Sequence, residues 1–351
     1  MKVIVPCGGR SSRYPNMPPK WMLPSHDRRP MLSLAVSGLA VSHEDLVVTI
    51  LREHEQQYKV RQGLEAVFGY PVRVVVLDEP TQSQPETVAR TLEALALDEP
   101  ILIKDSDNLF QLDDIEQEYN YVCVDSLNNF DSINPRNKSY LTVDHQDIIT
   151  NIREKVVISD LFSVGGYYFA QSQQFLDYFN RLYDDAASWQ KEFYVSDIIG
   201  AMILEGIPFK ARTINAYQDW GTVHEWRHAL LSRKVYYVLI DGFLFERGFE
   251  FFTPYFSDVK PNPEAVELVK AVLKRGHSLV YLTIRPEKFA ALTTEQLQAA
   301  GLPTGPVVYD CPNAPWVMLT APHATLPFQT SDAMELHVDD PNLQEKVLGD
   351  Y

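Results

Sequence analysis

Residues 6–20 read Pro6-Cys7-Gly8-Gly9-Arg10-Ser11-Ser12-Arg13-Tyr14-Pro15-Asn16-Met17-Pro18-Pro19-Lys20. They follow Val3-Ile4-Val5, a β-branched run that predicts a buried strand. Two adjacent glycines let the backbone turn sharply after that strand and approach a ligand without side chains in the way. Free N–H groups in such a turn form a concavity suited to an anion. Arg10, Arg13 and Lys20 surround it with positive charge. That sign inversion in an acidic chain points to polyphosphate. The competing interpretation is a plain strand-to-helix turn with solvated basic side chains. Neither the Gly-Lys-Ser/Thr of a P-loop nor a Gly-x-Gly-x-x-Gly fingerprint is present.

The 351 residues suit two domains at about 150 residues each. A hydrophobic content of 45% is enough for a real core. The formal net charge of −16 argues against a nucleic-acid surface and leaves a triphosphate to be drawn in by local cations and Mg²⁺. No apolar run approaches the roughly 18 residues of a membrane span. The chain enters a strand at once, so no signal peptide is expected. Cys7, Cys123 and Cys311 are odd in number and lack metal spacing, which predicts reduced thiols in a cytoplasm.

Short apolar strands recur at 46–51, 72–77, 101–104, 121–124 and 140–143, with helical patterns between them. In the helix predicted over 85–97, Pro85 suits the first turn and Val88, Leu92 and Leu95 share a face. The alternation predicts an α/β sheet with binding loops at the carboxyl ends of its strands. Near residue 232 the pattern restarts with a strand at 235–240, a helix at 264–274, a strand at 278–282, a helix near 287–300 and a strand at 335–338. Two domains, 1–232 and 233–351, are therefore expected.

Ile101-Leu102-Ile103-Lys104 runs straight into Asp105-Ser106-Asp107-Asn108, and hard carboxylates at a strand end suit Mg²⁺ carrying phosphates. An acidic turn capping the next element is the alternative. Asp219-Trp220-Gly221-Thr222 lies more than a hundred residues later, where Gly221 allows a tight turn and Asp219 reaches the same ion from the other side. Nucleotidyl transfer asks a protein mainly for positioning and charge stabilisation. Asp107 and Asp219 would then hold Mg²⁺, while Arg13 and Lys20 neutralise the α-phosphate and departing pyrophosphate. Glu154-Lys155 suits an acceptor's hydroxyls and phosphate, or is a solvated charge pair. Val164-Gly165-Gly166-Tyr167-Tyr168-Phe169 reads as a strand that substrate can approach at its glycines, with core aromatics.

Taken in order, the Gly-Gly loop with Arg and Pro-Lys, the strand-end Asp, Glu-Lys, Gly-Gly-Tyr-Tyr-Phe and Asp-x-Gly-Thr resemble the sugar-phosphate nucleotidyltransferases over about residues 1–225. The chain departs from the family's pattern at Ser11, where a further glycine is usual, and near Ser83. The resemblance implies a mixed α/β sheet of the glycosyltransferase-A type. It also implies an NTP and a small phosphorylated substrate as partners, Mg²⁺ as cofactor, and pyrophosphate as product. By position it implies that Gly8, Gly9, Arg10, Ser12 and Gln84 bind nucleotide, that Arg13 and Lys20 are catalytic, and that Glu154, Lys155 and Gly166 line the acceptor side. The pathway it implies is nucleotide-sugar supply for surface or capsule polysaccharide. A homo-oligomer is left open.

Val238-Leu239-Ile240-Asp241-Gly242-Phe243-Leu244 resembles the first motif of the haloacid dehalogenase superfamily, Thr283 with Arg285-Pro286 its second, and His337-Val338-Asp339-Asp340 its acidic fourth. This implies a smaller Rossmann-like domain. Its chemistry needs two Asp residues two apart, and either register puts Leu239 or Phe243 where one belongs. No Lys stands between Lys288 and Lys346 to balance Asp241, Asp339 and Asp340. An inactive phosphatase-like domain is therefore expected. A glycosyltransferase using Asp105 and Asp107, an active C-terminal phosphatase, and a non-catalytic nucleotide-sugar sensor are the alternatives.

Overall fold

The structure, a computed structural model, describes residues 1–11, 13–25, 27–130, 134–188, 192–231, 233–247, 256–312, 314, 334, 336 and 342–348, the side chains of 184–188 and 231 excepted. Ser12, Asp339, Asp340 and the strand expected at 335–338 lie outside the described residues, Leu336 excepted. The chain divides into two compact units, Met1–Trp226 and Arg227–Tyr351.

The strands of the first unit are β1 (Lys2–Pro6), β2 (Leu46–Leu51), β3 (Arg73–Leu77), β4 (Ile101–Lys104), β5 (Asn108–Gln111), β6 (Asn120–Ser126), β7 (Ser139–Val143), β8 (Ile149–Glu154), β9 (Leu161–Phe169), β10 (Phe209–Thr213) and β11 (Asn215–Asp219). Nine of them form one mixed sheet in the order β10-β6-β9-β4-β1-β2-β3, with β7 joined to β8 and β9. The block β3-β2-β1-β4 is parallel, and β9 runs antiparallel to both β4 and β6. Parallel strands are covered on both faces, which is why Val3-Ile4-Val5 and Ile101-Leu102-Ile103 are fully buried. Each such aliphatic side chain contributes about 1.5–3 kcal/mol by leaving water. One face carries Ile4, Val88, Leu92, Ile103 and Phe169; the other carries Val3, Val5, Leu102, Phe110 and Tyr168. The helix predicted over 85–97 forms at Gln84–Leu95, capped by the Ser83 side chain, which accepts from the Glu86 N–H.

The short strands β5, β8, β10 and β11 had too little apolar periodicity to be read from sequence. Two of them matter most. β5 and β11 form a separate antiparallel pair in which Asp219 lies opposite Asn108, and the Trp220 N–H donates to the Asp107 carbonyl at 2.8 Å. Backbone pairing thus sets the two acidic segments side by side.

The second unit holds a parallel sheet of β12 (Val235–Leu239), β13 (Ser278–Leu282) and β14 (Val307–Val308). Helices Pro263–Lys274, Ala290–Ala299 and Leu343–Leu348 accompany it. Val238, Ile240, Leu268, Val272, Tyr281 and Leu297 are among its buried core.

Candidate active site

The carboxyl ends of β1, β3 and β4 open onto a cleft of about 840 Å³ in the first unit. Gly9, Arg10, Arg13, Lys20, Gln84, Asp107, Glu154, Lys155 and Asp219 all line it. Gly8 and Gly166 stand outside the lining. Gly8 is buried beneath it, and its carbonyl accepts from the Thr81 N–H at 3.3 Å. A side chain on Gly166 would press into Phe110 and Cys123, away from the cleft.

The cations of the glycine loop meet the acids. Lys20 donates to the Asp107 carboxylate at 2.5 Å, and Arg13 stands 4.0 Å from the same oxygen. Burial acts to raise the Asp107 pKa, but Lys20 and Arg13 outweigh it and hold it at about 2. The loop itself is folded by Tyr14, whose hydroxyl donates to the Trp220 carbonyl at 2.5 Å with the Thr222 carbonyl 2.9 Å away. This ties the loop at Tyr14 to the segment after β11. Ser11, standing where the resembled family has glycine, has φ = 49°, the left-handed conformation that glycine adopts freely. Its hydroxyl accepts from the Lys20 N–H at 3.2 Å, which compensates the strained position.

Lys104 and Lys138 escaped sequence reading. Lys104, on a fully buried strand, donates upward to the Asp105 and Asn108 carbonyls at 2.8 and 2.9 Å and to the Asn108 side chain at 2.5 Å. It holds the Asp105–Asn108 turn from beneath, and burial lowers its pKa to about 8. A cation ending an otherwise aliphatic strand was the available signal. Asp105 is raised to about 6 by burial and by Asp107, and it accepts a hydrogen bond from Gln84. Gly165, at φ = 80°, forms a bulge in β9, and a side chain there would collide with Asp105 and Asn108. Lys138 bonds the Asp219 carboxylate and, at 2.6 Å, the Tyr217 hydroxyl.

Elsewhere in the lining, Glu154 accepts from Ser139 and, at 2.9 Å, from Ser196. Lys155, itself at φ = 56°, donates to Glu192 at 3.1 Å and to Tyr194. Tyr167, Tyr168 and Phe169 are buried as expected of core aromatics.

Two hard carboxylates beside several cations are what a divalent ion arriving with phosphates requires. Among the described residues no group of three or more His, Cys, Asp and Glu could hold a metal by itself. Asp107 and Asp219 bring hard carboxylate oxygens to one cleft, a donor set that would suit a divalent ion sharing its coordination with phosphate oxygens.

In the second unit Asp241 follows β12 and Thr283 follows β13. Thr283 donates to one Asp241 oxygen at 2.5 Å, and Arg285 to the other at 2.7 Å. Arg285 is fully buried and also reaches Gln296 at 2.6 Å and Thr293 at 3.3 Å. Asp241 thus has a counter-charge, supplied by an arginine two residues beyond Thr283.

No family model matches the chain, and no curated protein matches it. Solved structures do. A nucleoside-diphosphate-sugar pyrophosphorylase from Vibrio cholerae RC9 superposes with a TM-score of 0.54 at 22% identity, covering 65% of this chain and 99% of that one. A Bacillus anthracis protein assigned as a glucose-1-phosphate thymidylyltransferase gives 0.52 at 21% identity, covering 66% and 94%. A UDP-glucose pyrophosphorylase crystallised with UDP-glucose gives 0.50 at 15% identity, covering 66% and 97%. None of these matches bears on the second unit. Over about two thirds of its length, the chain has the mixed α/β fold of these nucleotide-sugar pyrophosphorylases.

Proposed function

We propose that Met1–Trp226 is a Mg²⁺-dependent nucleotidyltransferase that joins an NTP to a sugar phosphate or similar small phosphate monoester and releases pyrophosphate. The observation that carries this reading is the convergence of Arg13, Lys20, Asp107 and Asp219 on one cleft that Gln84, Glu154 and Lys155 also line. The fold likeness to pyrophosphorylases supports the same reaction class.

In this reading Asp107 and Asp219 hold Mg²⁺, which when bound neutralises phosphate charge and orients its oxygens. Arg13 and Lys20 stabilise charge on the α-phosphate and on the departing pyrophosphate. Lys155 holds the acceptor's phosphate, and Glu154 its hydroxyls. An ionised acceptor oxygen attacks the α-phosphorus as the bond to the β-phosphate's bridging oxygen breaks. No proton needs to be removed, so no strong base is required. Supply of a nucleotide sugar for surface or capsule polysaccharide is the corresponding pathway role.

We read Arg227–Tyr351 as a haloacid dehalogenase-like domain without hydrolytic activity. Its support is that both Asp241 oxygens are engaged by Thr283 and Arg285, while Leu239 and Phe243 stand where a second acid is needed.

The test incubates the full chain with each NTP, Mg²⁺ and a panel of phosphorylated sugars and alcohols, and measures pyrophosphate. Release with one NTP–acceptor pair is expected. Release of a nucleoside diphosphate from a nucleotide sugar instead would make it a glycosyltransferase, and binding without turnover would make it a sensor.

A further inference from the structure

Lys138 has no part in the reaction just described, yet it is among the most confined charges of the cleft. It directly precedes β7, and its side chain is only 7% exposed. Its ammonium lies 5.7 Å from the Phe162 ring centre and 5.1 Å from that of Tyr217. The backbone behind it is fixed, because the Lys138 carbonyl accepts from the Lys155 N–H at 2.9 Å. Forward, it meets the Tyr217 hydroxyl at 2.6 Å and Oδ2 of Asp219. The other Asp219 oxygen accepts from the Gly221 N–H at 3.1 Å. Both oxygens are thus already engaged by the protein.

A stabilising ion pair is the simplest role for such a contact, but buried pairs return little net stability once desolvation is counted. Position argues for more. Asp219 faces the same cleft as Asp107, and each acid carries its own lysine. A flexible stem ending in a point charge is also the cation most readily moved aside. Resting on Asp219 as a metal ligand, we propose that Lys138 is a resident counter-cation, which competes with the divalent ion for Asp219 and on displacement turns to a substrate phosphate oxygen in the cleft.

The energetics follow from charge. An ammonium and a divalent ion sharing one carboxylate repel each other at close range. Polyphosphate relieves that repulsion by supplying acceptors for both. Free metal therefore binds weakly and metal with nucleotide binds well, a coupling between two ligands built into one side chain.

The test titrates the full chain with Mn²⁺ alone and reads free Mn²⁺ by electron paramagnetic resonance, without nucleotide or turnover. Lys138→Met should bind Mn²⁺ about tenfold more tightly than the parent, since a competing charge is worth on the order of one hydrogen bond to an ion. Lys138→Gln, which keeps a donor for Tyr217, should show the same direction. Lys138→Arg should gain nothing, and adding Asp219→Asn to Lys138→Met should erase the gain. Equal or weaker binding in the Met and Gln variants, with Asp219→Asn still weakening the parent, overturns the role of Lys138 and leaves the metal reading intact. No effect of Asp219→Asn in any background overturns the metal reading, and this proposal with it.

Discussion

Asp219 and Asp241 invite comparison. Each stands at a strand end, Asp219 closing β11 and Asp241 just past β12, and each is bonded to one cation. Asp219 is 17% exposed, faces the large cleft and is held by a lysine. Asp241 is 4% exposed and is held by an arginine with no exposure at all, whose planar head also reaches Gln296 and Thr293. A lysine can release a carboxylate by turning about its stem. A guanidinium fixed at three points cannot do so without exposing a buried charge. On the proposed reading the first pair is exchangeable; the second is part of the core. The same local pattern, an acid at a strand end, thus gives a cleft-lining ion pair in one unit and a buried structural pin in the other.

The largest expected effect breaks the comparison at its chemical end. Asp107→Ala should lower pyrophosphate formation by about 10³-fold or more, since it removes charge stabilisation from the reacting centre. Asp241→Asn in the same assay should leave that rate unchanged. A normal rate in Asp107→Ala would remove it as a ligand.

The structural end is broken by Arg285→Met. Leaving Asp241 buried and unpaired should cost about 3–5 kcal/mol. Hydrogen–deuterium exchange of peptides spanning β12 and β13 should accelerate strongly, and Arg285→Met with Asp241→Asn should restore much of the protection. Unchanged exchange would show Arg285 to be dispensable.

The smallest effect concerns Lys104. Its pKa falls from the usual 10.5 to about 8 because burial disfavours its charge. Between those values the unfolded chain binds a proton that the folded protein does not, so stability from this group rises with pH across that window. The parent should gain melting temperature relative to Lys104→Met as pH rises from about 8 to 10. A constant difference would mean that Lys104 keeps an ordinary pKa.

Much of this was legible in the sequence. β-Branched runs marked β1, β2 and β4, and Pro85 with the Val88, Leu92 and Leu95 face marked a helix, because strand burial and helix periodicity are short-range effects. The cations of residues 10–20 and Asp107 stood out because charge in a turn after a buried strand is unusual, and Asp219 stood out through Asp219-Trp220-Gly221-Thr222. Lys138 was not, since nothing around it in the chain distinguishes it from a solvated lysine. Arg285 stood beside a recognised Thr, but its burial depends on Gln296, Thr293 and Phe256, which come from other elements.

The chain's local chemistry determined which residues carry charge and where strands and helices begin. Only the tertiary structure decided which charges meet, through the β5–β11 pairing that sets Asp107 and Asp219 side by side and the sheet that sets Arg285 against Asp241. The physical reason is that periodicity and capping act within a few residues, whereas an ion pair depends on a distance that only the folded backbone fixes.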